Sequence, residues 1–273
     1  QLALSLGENK EIALFSGLIV SSMLGCTIVF SIPVALGLIE EKDKEFFAKG
    51  LLIGLSTIPL GSIVGGVIMK INIKMLLINI IPIIFVSLIL ILGLKFFQNI
   101  FIRGVLYFGK FIMMITTIGL AAAAFEKLTG IVLIRGMLPI DEGMNVVINI
   151  GIVLLGTFPM LTLIINLLDK PLRKLGRYIG LDSTSVAGII FSLANSIPVF
   201  KMLKDMNNKG KIVNIAWLVA ATSTLGAHLG FTAGVESKMI IPVILSKLSA
   251  GVFAIMIALI FTRDSEKKVY SNI

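Results

Sequence analysis

Residues 182–200 read DSTSVAGIIFSLANSIPVF, and the way this stretch meets a bilayer decides the fold. It is long enough to span, yet Ser183, Thr184, Ser185, Ser192, Asn195, Ser196 and Pro198 are scattered through its apolar residues. About 20 mostly apolar residues are needed to cross about 30 Å of hydrocarbon. Seven other segments meet that need cleanly: residues 12–39, 46–69, 75–97, 104–125, 146–168, 212–234 and 239–261. The loops arbitrate, because cytoplasmic loops carry the Lys/Arg excess. If all eight segments span, the two sides receive 12 and 10 basic residues, with Lys110 and Lys247 set apart because they lie inside spans. If residues 182–200 enter and leave by one face, the split becomes 16 to 6. The sequence therefore predicts a re-entrant hairpin, with the N-terminal end outside and the C-terminal tail (Arg263, Lys267, Lys268) cytoplasmic. Residues 172–181 (LRKLGRYIGL) are expected to lie on the inner surface as a short amphipathic helix.

Composition points the same way. Of 273 residues, 57% are hydrophobic and 14% charged, with a mean hydropathy of +1.04. Soluble domains run at about 45–50% apolar and about 25% charged. That excess excludes a soluble enzyme, a nucleic-acid-binding domain and a disordered chain, and leaves an all-α polytopic membrane protein whose surroundings are a lipid bilayer. The net charge of +9 is then topology rather than a nucleic-acid footprint. Cys26 is the single cysteine, so no internal disulfide forms, and no spacing suggests a metal site or a cofactor. Homo-oligomerisation is left open.

Six prolines fall within these apolar segments: Pro33, Pro59, Pro82, Pro159, Pro198 and Pro242. Each frees a backbone carbonyl, which in lipid must find a partner or line a cavity. Simple kinks are the ordinary reading; broken helices around a binding site are the sharper one. Sliding the first forty residues along by 201 positions matches Leu2 to Leu203, Lys10 to Lys211, Ser22 to Ser223 and Leu24 to Leu225. It also matches Gly25 to Gly226, Phe30 to Phe231 and Val34 to Val235. The charge-derived topology runs these two copies in opposite directions, so the sequence predicts an inverted-repeat transporter with broken, re-entrant helices. The counterpart of residues 182–200 should then precede Gln1. Since the chain opens without an initiator Met, it reads as a piece of a longer protein.

Polar groups inside the membrane are functional candidates, because hydrocarbon penalises them. Asn195 and Ser196 lie deep in the hairpin, where an amide offers both donors and acceptors; locking the hairpin shut is the plainer role. His228, the only histidine, falls opposite Thr27 in the repeat. It suits proton coupling, although lone histidines are more often packing residues. Lys247 sits eight residues into its span and either snorkels, couples transport or attracts an anion. No carboxylate lies in the middle of any span. A cation site would therefore use oxygen dipoles and aromatic faces such as Phe30 and Phe231. The site is expected between Asn195 with Ser196 and the 25–31 stretch, which holds Thr27 and Ser31, with His228 and Phe231 opposite.

Several strings are distinctive: GCTIVFSIPVALGLIE (25–40), LGLKFF (92–97), ITTIGLAAAAF (115–125), LLGTFPM (154–160), LANSIPVFKMLKDMNNKGKIVN (193–214) and LGAHLGF (225–231). In them the chain resembles the ethanolamine-utilization permeases of the EutH type, in order from about residue 1 to residue 261. The resemblance implies a permease of the bacterial inner membrane that brings ethanolamine into the cytoplasm for catabolism, not an enzyme. It also implies family members about a third longer, with the extra length before Gln1. Asn79 and Lys247 agree with the family pattern and join the candidate substrate-binding residues. At Ala227 the chain departs from it: the family carries an acid there, followed by the His-Leu-Gly-Phe that this sequence keeps at 228–231. A transporter or channel for a different small polar or anionic solute is the alternative, and a non-transporting membrane protein is a second.

Overall fold

The computed structural model describes residues 10–270, apart from the side chains of some of them. Gln1, the side chains of the tail residues used in the charge count, and the ring of Phe30 lie outside the described residues. Helices are the only regular structure in the described part. The helix α1 (Lys10–Ile19) runs through two π-helical segments, Val20–Gly25 and Thr27–Ser31, into α2 (Ile32–Leu38). There follow α3 (Lys44–Ile68), α4 (Ile73–Phe96), α5 (Gln98–Thr129), α6 (Ile140–Tyr178), α7 (Ser183–Ser192), α8 (Ile197–Met202), α9 (Asn208–Ala221), α10 (Ala227–Val235) and α11 (Ile240–Tyr270).

The ends of these helices have local causes. Asn72 accepts from the Lys74 N–H to start α4, and Gly130, at φ +74°, ends α5 in the left-handed conformation that suits glycine. Pro59, Pro82 and Pro159 sit inside continuous helices, so these prolines break nothing. The helix is broken instead at residues 193–196 and 222–226.

The core is α3, α9 and α11 packed on one another, with α9 buried on every side from Gly210 to Ala221. Missing β-carbons make this approach close. Gly50 and Gly54 of α3 lie against Ile215 and Val219 of α9, and Gly61 and Gly65 lie against Ser246 and Ala250 of α11. A small-residue stripe of this kind is how membrane helices pack, since lipid supplies no hydrophobic drive between them.

The periphery reads differently. In α4, among the described residues, Leu76, Ile80, Ile83, Ser87 and Leu90 are the buried ones, a stripe at helical spacing, while Ile73, Ile81 and Phe85 are at least 60% exposed. An apolar helix with one narrow protein-facing stripe is stable only where its other faces meet hydrocarbon. Among the described residues four helices, within 41–68, 73–93, 110–129 and 237–262, are long and apolar enough to cross a membrane. The chain is an all-α, multi-pass membrane protein.

Three segments differ from the sequence expectation. The predicted span 12–39 is helical as far as Leu38, but two π-helical segments interrupt its α geometry. Residues 146–168 and the expected surface helix 172–181 are not separate: α6 is one 39-residue helix that continues through Pro171 as far as Tyr178. Residues 212–234 do not form one helix, because Thr222, Ser223 and Thr224 give the backbone side-chain alternatives to helical bonds and Ser223 takes a positive φ of 53°.

Candidate functional site

The helix α7 has ten residues, about 15 Å at 1.5 Å per residue, half of what a bilayer core requires. It starts with the sequence D-S-T-S, where Asp182 caps by accepting from the Ser185 N–H at 2.8 Å and the Ser185 hydroxyl at 3.0 Å. The chain then turns at residues 193–196 and returns through α8. At the far end, the Asn207 N–H donates to Asp182 Oδ2 at 2.6 Å and the Asn207 side-chain amide to the Gly180 carbonyl at 3.1 Å. The beginning and end of the segment are therefore clasped together, and the turn is its tip. Burial pushes the Asp182 carboxyl up, but hydrogen bonds from Asn207 and Ser185 outweigh this and hold it below the usual range.

The tip meets the second break. The Ser223 N–H donates to the Ser192 carbonyl at 2.8 Å and the Leu225 N–H to the Leu193 carbonyl at 2.9 Å. The Trp217 indole donates to the Ser192 hydroxyl at 2.7 Å. Gly226 lies directly on the Ala194 carbonyl. The two breaks thus satisfy part of each other's backbone hydrogen bonding, as irregular backbone must wherever it is buried.

Asn195, Ser196 and His228 lie at or beside the two breaks, and Thr27 bonds to the end of α9. Ser196 is buried at the tip and Asn195 is exposed there, its Oδ1 accepting from the Ile197 N–H at 2.9 Å and keeping a second lone pair. His228 Nδ1 lies 3.1 Å from the Thr222 carbonyl; with an acceptor opposite, Nδ1 carries the proton and Nε2 is left as an acceptor. Thr27 is buried, its hydroxyl donating to the Val219 carbonyl in the last turns of α9 at 3.5 Å. Ser31 is buried one turn further on, with its hydroxyl 4.0 Å from Cys26 Sγ. Lys247 is fully buried and donates to the Ser22 carbonyl at 3.2 Å. Val20–Gly25 and residues 222–226 occupy equivalent places in the 201-residue offset, and each departs from α geometry.

Two predicted residues stand apart. Asn79 spends its amide on the Met75 carbonyl of its own helix. Phe231 is 37% exposed on α10, the helix that packs on α6. Sequence reasoning missed the Asp182–Asn207 clasp, although D-x-x-S and N-x-x-G are legible cap spacings. It also missed a buried ion pair, Lys211 Nζ to Asp43 Oδ1 at 2.6 Å, whose partners are too far apart in sequence to be paired from it. Trp217 likewise donates to the hairpin.

A cavity of about 300 Å³ lies where α8 meets the loop after α2, lined by Glu40, Asp43, Phe200, Lys201 and Lys204. A larger one, about 600 Å³, lies between α5 and the start of α6. Its wall is apolar, including Leu120, Met144 and Val147, and it does not reach the breaks. Among the described residues no cluster of three His, Cys, Asp or Glu side chains could hold a metal ion.

Comparison with known proteins adds the lineage. Residues 1–261 match the family model described as "Ethanolamine utilisation protein, EutH". The chain is 44% identical over 267 residues to the "Probable ethanolamine permease EutH" of Listeria monocytogenes, covering 98% of this chain and 72% of that one. It is 41% identical over 276 residues to the Escherichia coli protein of the same name, covering 93% and 68%. It is 42% identical over 253 residues to the "Uncharacterized protein YxeR" of Bacillus subtilis, again covering 93% and 68%. No solved structure matches. By its sequence from residue 1 to residue 261, the chain belongs to the EutH family of ethanolamine utilisation proteins.

Proposed function

We propose that this protein is a permease carrying ethanolamine into the bacterial cytoplasm. The substrate enters with its ammonium and hydroxyl held between the hairpin tip and the two interrupted helices. The observation that carries the reading is the stitching of the 193–196 break to the 222–226 break. Discontinuous helices meeting at mid-depth are how secondary transporters expose backbone dipoles to a small solute. The clasped ends of the hairpin support its re-entrance from one face, and the matching interruptions at Val20–Gly25 and 222–226 support the inverted repeat. On this reading the N-terminal end of the chain is outside, the C-terminal tail is cytoplasmic, and the host membrane is the inner one.

The chemistry fits a protonated amino alcohol. Asn195 Oδ1, His228 Nε2 and the hydroxyls of Thr27, Ser31 and Ser196 accept hydrogen bonds without placing a fixed charge in the path. Phe231 offers a ring face at the edge. Asn79 stands as the weakest member of the proposed set. The charged cavity beside Phe200 serves as an inner vestibule.

The test is uptake of labelled ethanolamine at acidic external pH, where little neutral amine leaks through lipid. The hosts are bacteria lacking their own permease and expressing the protein from its complete natural gene. Saturable uptake that unlabelled ethanolamine competes away is expected. Asn195→Ala should raise KM about tenfold, the worth of a hydrogen bond to a charged group. Absence of uptake with the protein present in the membrane would reject the reading.

A further inference from the structure

Lys247 is fully buried, so its amine cannot reach the interface by snorkelling. The ionisable side chains within electrostatic reach of it, among the described residues, are Cys26 and His228, and at their ordinary pKa values neither is an anion at neutral pH. No carboxylate balances the ammonium there. Its hydrogen-bond partner is the Ser22 carbonyl, which belongs to the first π-helical segment. The Ser22 hydroxyl is buried with no hydrogen-bond partner. An amine in such a place keeps its proton only if the surrounding oxygens favour positive charge, and otherwise neutralises. Carbonyls of an interrupted helix and serine hydroxyls are the ligands that hold sodium in ion-coupled carriers.

We infer that Lys247 is a resident cation, its ammonium occupying the place where an ion-coupled carrier would hold an alkali-metal ion, so that uptake by this protein requires no such ion. The ammonium ties α11 to the interrupted helix through Ser22, and its charge repels a second cation from the same oxygens. Removing the side chain back to Cβ leaves a small space beside the Ser22 carbonyl, which an alkali cation can fill. The inference rests on the transport reading above and assigns it an ion requirement.

The test uses the full-length protein with sodium, lithium or N-methylglucamine as the external cation. Wild-type ethanolamine uptake should be the same in all three. Lys247→Ala should lose uptake in N-methylglucamine and regain it in sodium or lithium, by at least about fivefold, the lower end of site-to-site coupling. Lys247→Met, which fills the space without charge, should stay low in every medium. A readout independent of substrate is the melting temperature in detergent, where sodium should raise that of Lys247→Ala and leave the wild type unmoved. Wild-type uptake that needs sodium would overturn the inference, and so would a folded Lys247→Ala protein that no alkali cation activates or stabilises. Failure of ethanolamine uptake with the sodium-dependent melting shift intact would reject the substrate and keep the resident cation.

Discussion

Gly226 sits so close to Ala194 that a β-carbon on the glycine would lie 2.2 Å from the Ala194 carbonyl oxygen. The contact joins the break after α9 to the tip of the hairpin, and it is backbone against backbone, so no side chain can swing aside. Gly226→Ala should therefore separate the two breaks, costing about 1–3 kcal/mol as an overpacked contact does. Uptake should fall by at least tenfold, since about 1.4 kcal/mol is tenfold. Gly119→Ala is the control: it meets nothing within 4 Å and should leave the melting temperature and uptake as they are. Equal behaviour of the two variants would dissociate the contact from function.

The Asp182 clasp makes a prediction in pH. Its hydrogen bonds depress the carboxyl in the folded protein below the ordinary 3.8, so the stability it contributes is present above about pH 4 and is lost as pH falls through the depressed value. Asp182→Ala should cost about 1 kcal/mol, as loss of a helix cap does, with a constant deficit between pH 5 and pH 7. The wild type should approach the variant only below about pH 4. Melting curves across that range decide; a deficit that closes between pH 5 and pH 7 would assign the effect to another group. The hairpin thus stays clasped at the acidic pH where uptake is measured.

How much of this could be read in the sequence follows from how local each signal is. The apolar spans are written in windows of about 20 residues, and the polar residues scattered through 182–200 mark that segment as unlike the others. The break at 222–226 lies inside the apolar segment 212–234, whose length and composition carry no sign of it. What breaks the helix is a pair of partners 31 and 32 residues away in sequence, the Ser192 and Leu193 carbonyls that accept from Ser223 and Leu225. The prolines misled in the opposite direction, since Pro59, Pro82 and Pro159 are absorbed by continuous helices. His228, Thr27 and Lys247 were visible as polar residues in apolar surroundings, but their partners are backbone carbonyls, which carry no sequence label.

Asp43 and Lys211 show the same limit and give a third prediction. Their 2.6 Å pair is almost fully buried, with Asp43 2% and Lys211 6% exposed, and Asp43 Oδ2 has no partner. It ties the loop after α2 to the first turn of α9, and Asp43 also lines the charged cavity. Lys211→Met strands a buried carboxylate and should cost about 3–5 kcal/mol, whereas Asp43→Asn combined with Lys211→Met should recover most of the loss. Melting temperatures of the single and double variants in detergent measure it. A double variant no more stable than Lys211→Met alone would show that the pair acts by something other than charge balance.

Ala227 gives the last prediction. It is the first residue of α10, exposed, and next to His228. Its neighbours Gly226 and Phe231 keep the string that the resemblance to the EutH-type permeases rests on. An acid at this position would sit at a helix N-terminus, where the backbone dipole stabilises negative charge, and would meet a substrate ammonium approaching the break. Ala227→Asp should then lower the KM for ethanolamine about tenfold, as a charge-assisted hydrogen bond would. It should also widen the preference for ethanolamine over an uncharged diol of the same length, because only the ammonium gains a partner. Uptake kinetics with both solutes measure this directly. An unchanged KM would mean that position 227 lies off the path, and that the ammonium is held by the neutral oxygens of the tip and the breaks alone.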